Sequence, residues 1–371
     1  MRTQFQASPT ANKHFWNGKR VFLTGHTGFK GSWMSQWLCD MGAVVRGYAL
    51  EPQRDQMPDG FSALFDELDL ASRLEHQIGD VRDLSTMRAA MQAFSPEIVI
   101  HMAAQPLVRL SYREPVETYA TNVMGTVHVL DACRTLKDLK TVLIVTSDKC
   151  YENREQIWGY RENDAMGGHD PYSNSKGCAE LVAAAYRNSF FNPADYGKHG
   201  VVVCSGRAGN VIGGGDWSGD RLIPDVVRAY WAGEDVVIRN PKATRPWQHV
   251  IDPLSGYLRV IEASYETPQL AASGWNFGPG DEMNLTVADV LGLLKPELGE
   301  RFNWRIETVP GQLHEAHLLK LDCTKARVQL NWATHFDAAK MAEMTAVWYS
   351  EADPARRKDL TAEQLAPLIS A

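Results

Sequence analysis

The feature that most constrains this chain is an alternation. Up to Arg207, short and nearly continuous apolar runs take turns with longer segments of helical periodicity. The runs at 20–24, 43–48, 74–78, 97–101, 141–145 and 201–204 read as six strands, and 31–41, 84–94, 115–136 and 173–189 read as helices. A strand that is apolar on both sides needs cover on both faces, and a helix between two strands lets them run parallel. The expected fold is therefore α/β, a doubly wound parallel sheet. After Arg207 glycine and proline become frequent and the alternation loosens, which predicts a second, smaller α/β region built on loops and short elements.

Composition narrows the function classes. The chain is 44% hydrophobic and 22% charged, as in soluble globular proteins, and its formal charge of -7 speaks against nucleic acid as a partner. An anionic ligand would need a local basic cluster. The six cysteines (39, 133, 150, 178, 204 and 323) form no CxxC pair or zinc spacing, which fits reduced thiols in a cytoplasmic protein, and no His/Cys/carboxylate cluster suggests a metal. No stretch approaches the roughly 20 apolar residues that cross a bilayer, so no membrane partner is expected. Residues 1–17 lack the apolar run of a signal or anchor and read as a loosely held extension.

The first strand runs into Gly25, Gly28 and Gly31, with Thr27, Phe29 and Lys30 on the same turn. Glycines here let backbone N–H groups approach a pyrophosphate, and the next helix offers its positive end to the same group. The GxxGxxG spacing resembles the extended short-chain dehydrogenase/reductase superfamily, which implies a Rossmann-type sheet and NAD. Glu51 is the nearest carboxylate for the adenosine ribose, while Arg46 and Arg54 leave NAD against NADP open on residues alone. Asp80 and Val81 resemble the superfamily's adenine-holding pair, although Asp80 reads equally well as a helix N-cap. His101, Ala103 and Ala104, after the fourth strand, fit the cofactor loop.

Tyr172 and Lys176 form a YxxxK motif on one helix face. A lysine ammonium near a phenol lowers its pKa, so tyrosine can act as a base. The fifth strand ends in Ser147, Asp148 and Lys149, where side chains of a doubly wound sheet meet ligands. Ser147 completes the superfamily's Ser–Tyr–Lys set. Asp148 and Lys149 add an acid/base pair that simple alcohol oxidation does not need. Segments 24–31, 145–151, 207–217 and 245–250 resemble sugar-nucleotide 4,6-dehydratases. Ser-Asp-Lys in place of Thr/Ser-Asp-Glu resembles their CDP-glucose branch. The resemblance implies C4 oxidation with Tyr172 as base, Lys176 keeping it acidic and Ser147 on the C4 oxygen. It then implies loss of the 6-hydroxyl with Asp148 as acid and Lys149 as candidate C5 base, and hydride return to C6. A 4-epimerase would share Ser–Tyr–Lys but expels no hydroxyl, and an NAD(H) sensor would need none of the set.

A nucleotide-sugar substrate needs cations. Arg207, Arg221, Arg239, Lys242 and Arg245 supply a cluster, with Arg245 the foremost candidate for the diphosphate, and Gln105, Asn210 and His314 complete the expected substrate-binding set. Trp217 and Trp247 are expected to pack, and His249 to be structural. The resemblance further implies an NAD-binding domain over 18–206 with a return segment near 245–278 and a mainly nucleotide-sugar-binding domain over 207–371. It also implies a homodimer or homotetramer built on the helices at 115–136 and 173–189.

Overall fold

Seven parallel strands form the centre of the molecule: β1 (Arg20–Thr24), β2 (Val44–Ala49), β3 (Glu75–Ile78), β4 (Ile98–His101), β5 (Thr141–Val145), β6 (Val202–Ala208) and β7 (Gly274–Phe277). The computed structural model describes residues 10–370 except 56, 239 and 308–317. The strand order is β7-β6-β5-β4-β1-β2-β3. The order reverses between β1 and β4, whose last residues, Thr24 and His101, are register partners. Ligands of doubly wound sheets sit outside the carboxyl ends of the strands at this switch point.

Strand periodicity divides the core. Val21, Leu23, Ile98, Ile100 and Leu143 belong to a cluster with α1 (Phe29–Asp40). Phe22, Val99, Val142, Ile144 and Val203 pack with α2 (Leu84–Phe94), α3 and α4 (Pro171–Ser189) on the other face. Helix α3 comprises Pro115–Tyr119, a π-helical turn Ala120–Met124, and Gly125–Cys133. Asp83 caps α2 and Asp170 caps α4, each accepting from a backbone N–H three residues on. Asp80 is thus not the cap of α2. Gly28 caps α1 without a side-chain hydrogen bond, which leaves first-turn amides for a ligand.

The later chain adds α5 (Leu222–Ala232), α6 (Ile251–Glu266), α7 (Val287–Leu298), α8 (Ala338–Ser350) and α9 (Pro354–Leu365). Helix α6 joins the α1 face of the core through Leu254, Tyr257 and Leu258. Part of the expected loose extension is held in place. Ala11–Asn12 pairs in parallel with Ile369–Ser370, and the buried Trp16 donates from its indole Nε1 to Glu262 at 2.8 Å. At the other end, Arg357 on α9 forms a two-pronged, buried ion pair with Glu67 at 2.8 and 2.9 Å. The six thiols are unpaired. Among the described residues no helix is long and apolar enough to cross a membrane.

Candidate active site

The glycine turn is packed so closely that side chains are excluded. Gly25 has φ +76°, and a Cβ there would stand 2.7 Å from the Ala103 amide nitrogen; a Cβ on Gly31 would stand 2.0 Å from the Gly25 carbonyl oxygen. The turn thus lies flush against the loop after β4, beneath a cleft of about 360 Å³. Gly25, Thr27, Gly28, Phe29, Lys30 and Gly31 line one side of it, and Asp80, Val81, Ala103 and Ala104 another. The hydrogen bond from Arg82 holds the Asp80 carboxyl below the usual range. This backbone cradle beside an open helix N-terminus fits a dinucleotide. His101 lies beneath it. Its Nδ1 is 2.8 Å from Thr24 Oγ1, which accepts from the Met102 and Ala103 amides. Burial, and then Lys176, push the imidazole down to about 3, so it supports the loop as a neutral ring.

A second cavity, of about 380 Å³, shares Lys30, Pro106, Thr146, Tyr172, Asp216 and Arg221 with the first. Tyr172 therefore stands at the junction, with Ser147, Lys149, Asn210 and Arg245 on the second side. Asp148 sits buried behind them. Its Oδ1 accepts from Ser147 Oγ at 2.9 Å and from Lys149 Nζ at 3.3 Å, and Lys149 Nζ reaches Asn210 Oδ1 at 3.4 Å.

Burial raises the Tyr172 phenol; Lys149 and then a hydrogen bond with Ser147 oppose that rise. Lys176 lines the first cavity beside Tyr172, its Nζ 3.4 Å from the Val145 carbonyl, and burial lowers it to about 8 against the pull of Glu180. The Tyr172 amide donates to Ser111 Oγ at 3.1 Å. Asn122, from the π-helical turn, donates to Ser175 Oγ and the Gln105 carbonyl and accepts from the Gln105 amide. This tie between α3, α4 and the β4 loop leaves no mark in the sequence.

Several expected substrate residues are placed elsewhere. Arg207 is directed into the interior. It donates to Glu180 Oε2 at 2.7 Å, to Tyr151 Oη at 2.6 Å and to the Glu162 carbonyl. An arginine on a fully buried strand needs an internal counter-charge, and Glu180 of α4 supplies it. Tyr151, whose hydroxyl also donates to Asn276, is raised by burial and lies off the cavities. The Gln105 side chain is bonded to Leu107 and Thr118. Arg221 faces both cavities and is fixed to Asp216 at 2.8 Å, and the Tyr349 hydroxyl clamps the Asp216 backbone from both sides. Trp217 and Trp247 are packed, as is His249, lowered to about 3 by burial. Arg239 and His314 lie outside the described residues. Arg109, which motif reading passed over, lines the second cavity. No group of metal-ligating side chains occurs among the described residues.

A β3-β2-β1-β4-β5-β6 order, a glycine turn after β1 and a Ser–Tyr–Lys set at the carboxyl ends of the strands define a short-chain dehydrogenase/reductase architecture. Within it, the chain belongs to the family described as GDP-mannose 4,6 dehydratase, whose sequence model matches residues 22–345. It is 53% identical over 338 residues to the CDP-glucose 4,6-dehydratase of Salmonella typhimurium, covering 91% of this chain and 92% of the relative. Solved structures share the fold. The epimerase Mth375 of Methanothermobacter thermautotrophicus has a TM-score of 0.75 at 20% identity, over 96% of this chain and 97% of that one. A dTDP-glucose 4,6-dehydratase of Streptomyces venezuelae has a TM-score of 0.71 at 22% identity, over 89% and 97%.

Proposed function

We propose that this protein is an NAD-dependent dehydratase that converts CDP-D-glucose to CDP-4-dehydro-6-deoxy-D-glucose and water. One observation carries the reading. A buried tyrosine joins two cavities, and the Ser147–Asp148–Lys149 array stands beside it. The 53% identity to a CDP-glucose 4,6-dehydratase supports this substrate. NAD, which the turn at Gly25, Gly28 and Gly31 would hold, would supply the acceptor for the C4 hydride and return that hydride to C6.

The chain's own residues move the protons. Tyr172 takes the 4-hydroxyl proton while Ser147 donates to the C4 oxygen. The resulting ketone acidifies the C5 proton. Elimination then needs an acid and a base at once. The Lys149–Asp148 contact of 3.3 Å offers both. Passage of one proton from the ammonium to the carboxylate yields an amine that can take the C5 proton, and return it to C5 when C6 is reduced, and an acid that can protonate the departing hydroxyl. Lysine can thereby serve where the commoner dehydratase pattern has glutamate. Arg245 and Asn210 hold the nucleotide side of the substrate. An epimerase has no use for such an acid/base pair.

We further infer the division near residue 207 into cofactor and nucleotide-sugar domains, a cytoplasmic location and a homo-oligomer. Val116 and Met124 on α3 and Leu181 on α4 are exposed apolar side chains on neighbouring helices, as a helical interface between copies requires. Incubation with CDP-, dTDP-, GDP- and UDP-glucose tests the reading. A product lighter by one water from CDP-glucose supports it; unchanged mass with an inverted C4 would make the protein an epimerase.

A further inference from the structure

Two arginines, Arg221 and Arg109, line the second cavity, and each is paired with an aspartate of the loop at 216–221. The pairs differ. Arg221 is bonded to Asp216, a buried carboxylate whose backbone Tyr349 clamps, so this guanidinium is fixed by the fold. Arg109 is bonded to Asp220 through one contact of 2.8 Å; the two arginines are equally exposed, at 34%, but Asp220 is 47% exposed where Asp216 is 5% exposed. Asp220 also has φ +59°, a left-handed conformation that side-chain-bearing residues seldom adopt. An exposed, singly bonded ion pair is weak and easily exchanged for another anion.

The support of Arg109 is not loose. It sits on the short helix Val108–Arg113, two residues before Ser111. Ser111 Oγ accepts the Tyr172 amide and donates to the Val108 carbonyl. A group bound by Arg109 is therefore referenced through one side chain to the residue at the cavity junction. We propose that Arg109 is a substrate-anchoring residue, and that Asp220 occupies its guanidinium in the empty site until the diphosphate of a nucleotide sugar displaces it. Arginine suits that exchange, since its planar fork accepts a carboxylate or a phosphate alike. The inference rests on the reading of the second cavity as a nucleotide-sugar site.

Opposite signs test it. Calorimetric titration of the full chain in the presence of NAD, with CDP as the probe, compares wild type, Arg109→Met and Asp220→Asn. Arg109→Met is expected to weaken CDP by at least about tenfold, as loss of a hydrogen bond to a charged group does. Asp220→Asn is expected to tighten CDP by up to about fivefold, because it releases the arginine from an exposed pair. A merely structural bridge would make both variants weaken CDP alike, and that result overturns the proposal. So does wild-type affinity in Arg109→Met, provided NAD affinity and the thermal midpoint show both variants folded. If wild type binds none of CDP, UDP, dTDP or GDP, the nucleotide-sugar reading fails, and the role of Arg109 falls with it.

Discussion

Replacing Arg207 by methionine separates a substrate cation from an internal one. The guanidinium is buried with Glu180, their side chains 6% and 2% exposed, and Glu180 accepts two further hydrogen bonds, from Thr146 at 2.5 Å and Ser205 at 2.8 Å. Burial alone would raise the Glu180 carboxyl, but Arg207 and these hydrogen bonds hold it below the usual range. Arg207→Met strands that carboxylate without a counter-charge, a loss that costs about 3–5 kcal/mol. Arg207→Met with Glu180→Gln removes both charges and keeps an oxygen for one of the two hydroxyls, while the other can turn to accept from the amide. Its cost should fall to about 1–2 kcal/mol, roughly 2–3 kcal/mol less than that of the single variant. Urea unfolding followed by near-ultraviolet circular dichroism reads both numbers. The pH dependence has a definite sign. Because the folded carboxyl is lowered, the pair's contribution is present at neutral pH and is lost as pH falls through that lowered value. The KM for the nucleotide sugar should stay near wild type wherever the variants are folded. An unshifted urea midpoint with a tenfold rise in KM would refute the reasoning and put Arg207 on the substrate.

Tyr172→Phe should lose most turnover while fold and NAD affinity persist, and near-normal rates would remove the phenol from the mechanism. Asp148→Asn should still oxidise C4 but release little dehydrated product. Lys149→Met should also slow exchange of the C5 proton with solvent deuterium, so unimpaired exchange and dehydration would exclude lysine as the base. Gly31→Ala should abolish NAD binding, measured by titration, because its Cβ would stand 2.0 Å from the Gly25 carbonyl oxygen. Arg245→Ala should weaken substrate binding by about 1.5–3 kcal/mol if it holds the diphosphate, and an unchanged KM would remove it from that role.

What the sequence disclosed follows from where each signal resides. Most strands of the alternating half are legible because they are apolar runs, and the structure places β1 and β5 at the expected residues; β3, Glu-His-Gln-Ile, is the exception. Strand β7, Gly-Trp-Asn-Phe, has no such run. Its Asn276 is accommodated by donating to the carbonyls of Tyr160 and Asp322, partners far away in the chain. Strand β6 runs on to Ala208 for a similar reason, since Arg207 is tolerated inside only because Glu180 neutralises it. Helix α1 starts at Phe29, before the expected Gly31, because glycine's low propensity is overridden by close packing against the turn. The site motifs were legible as local spacings. The direction of Arg207, the internal bonding of the Gln105 amide and the anchoring of Trp16 were not, because each depends on a partner that only the fold brings near.

The ion pair between Arg357 and Glu67 also bears on how this chain can be divided. The shared family pattern ends at residue 345, yet α9 begins only at Pro354. Glu67 closes the short helix Leu64–Glu67, whose Leu64 and the preceding Ala63 form part of the wall of the first cleft. A chain trimmed at the family boundary would therefore keep every catalytic motif and still lose the guanidinium that neutralises a 1% exposed carboxylate behind that wall. Ancestry and architecture draw different borders here. The inherited pattern marks which residues do the chemistry, whereas the ion pair behind the cleft wall draws on a terminal helix on which that pattern is silent.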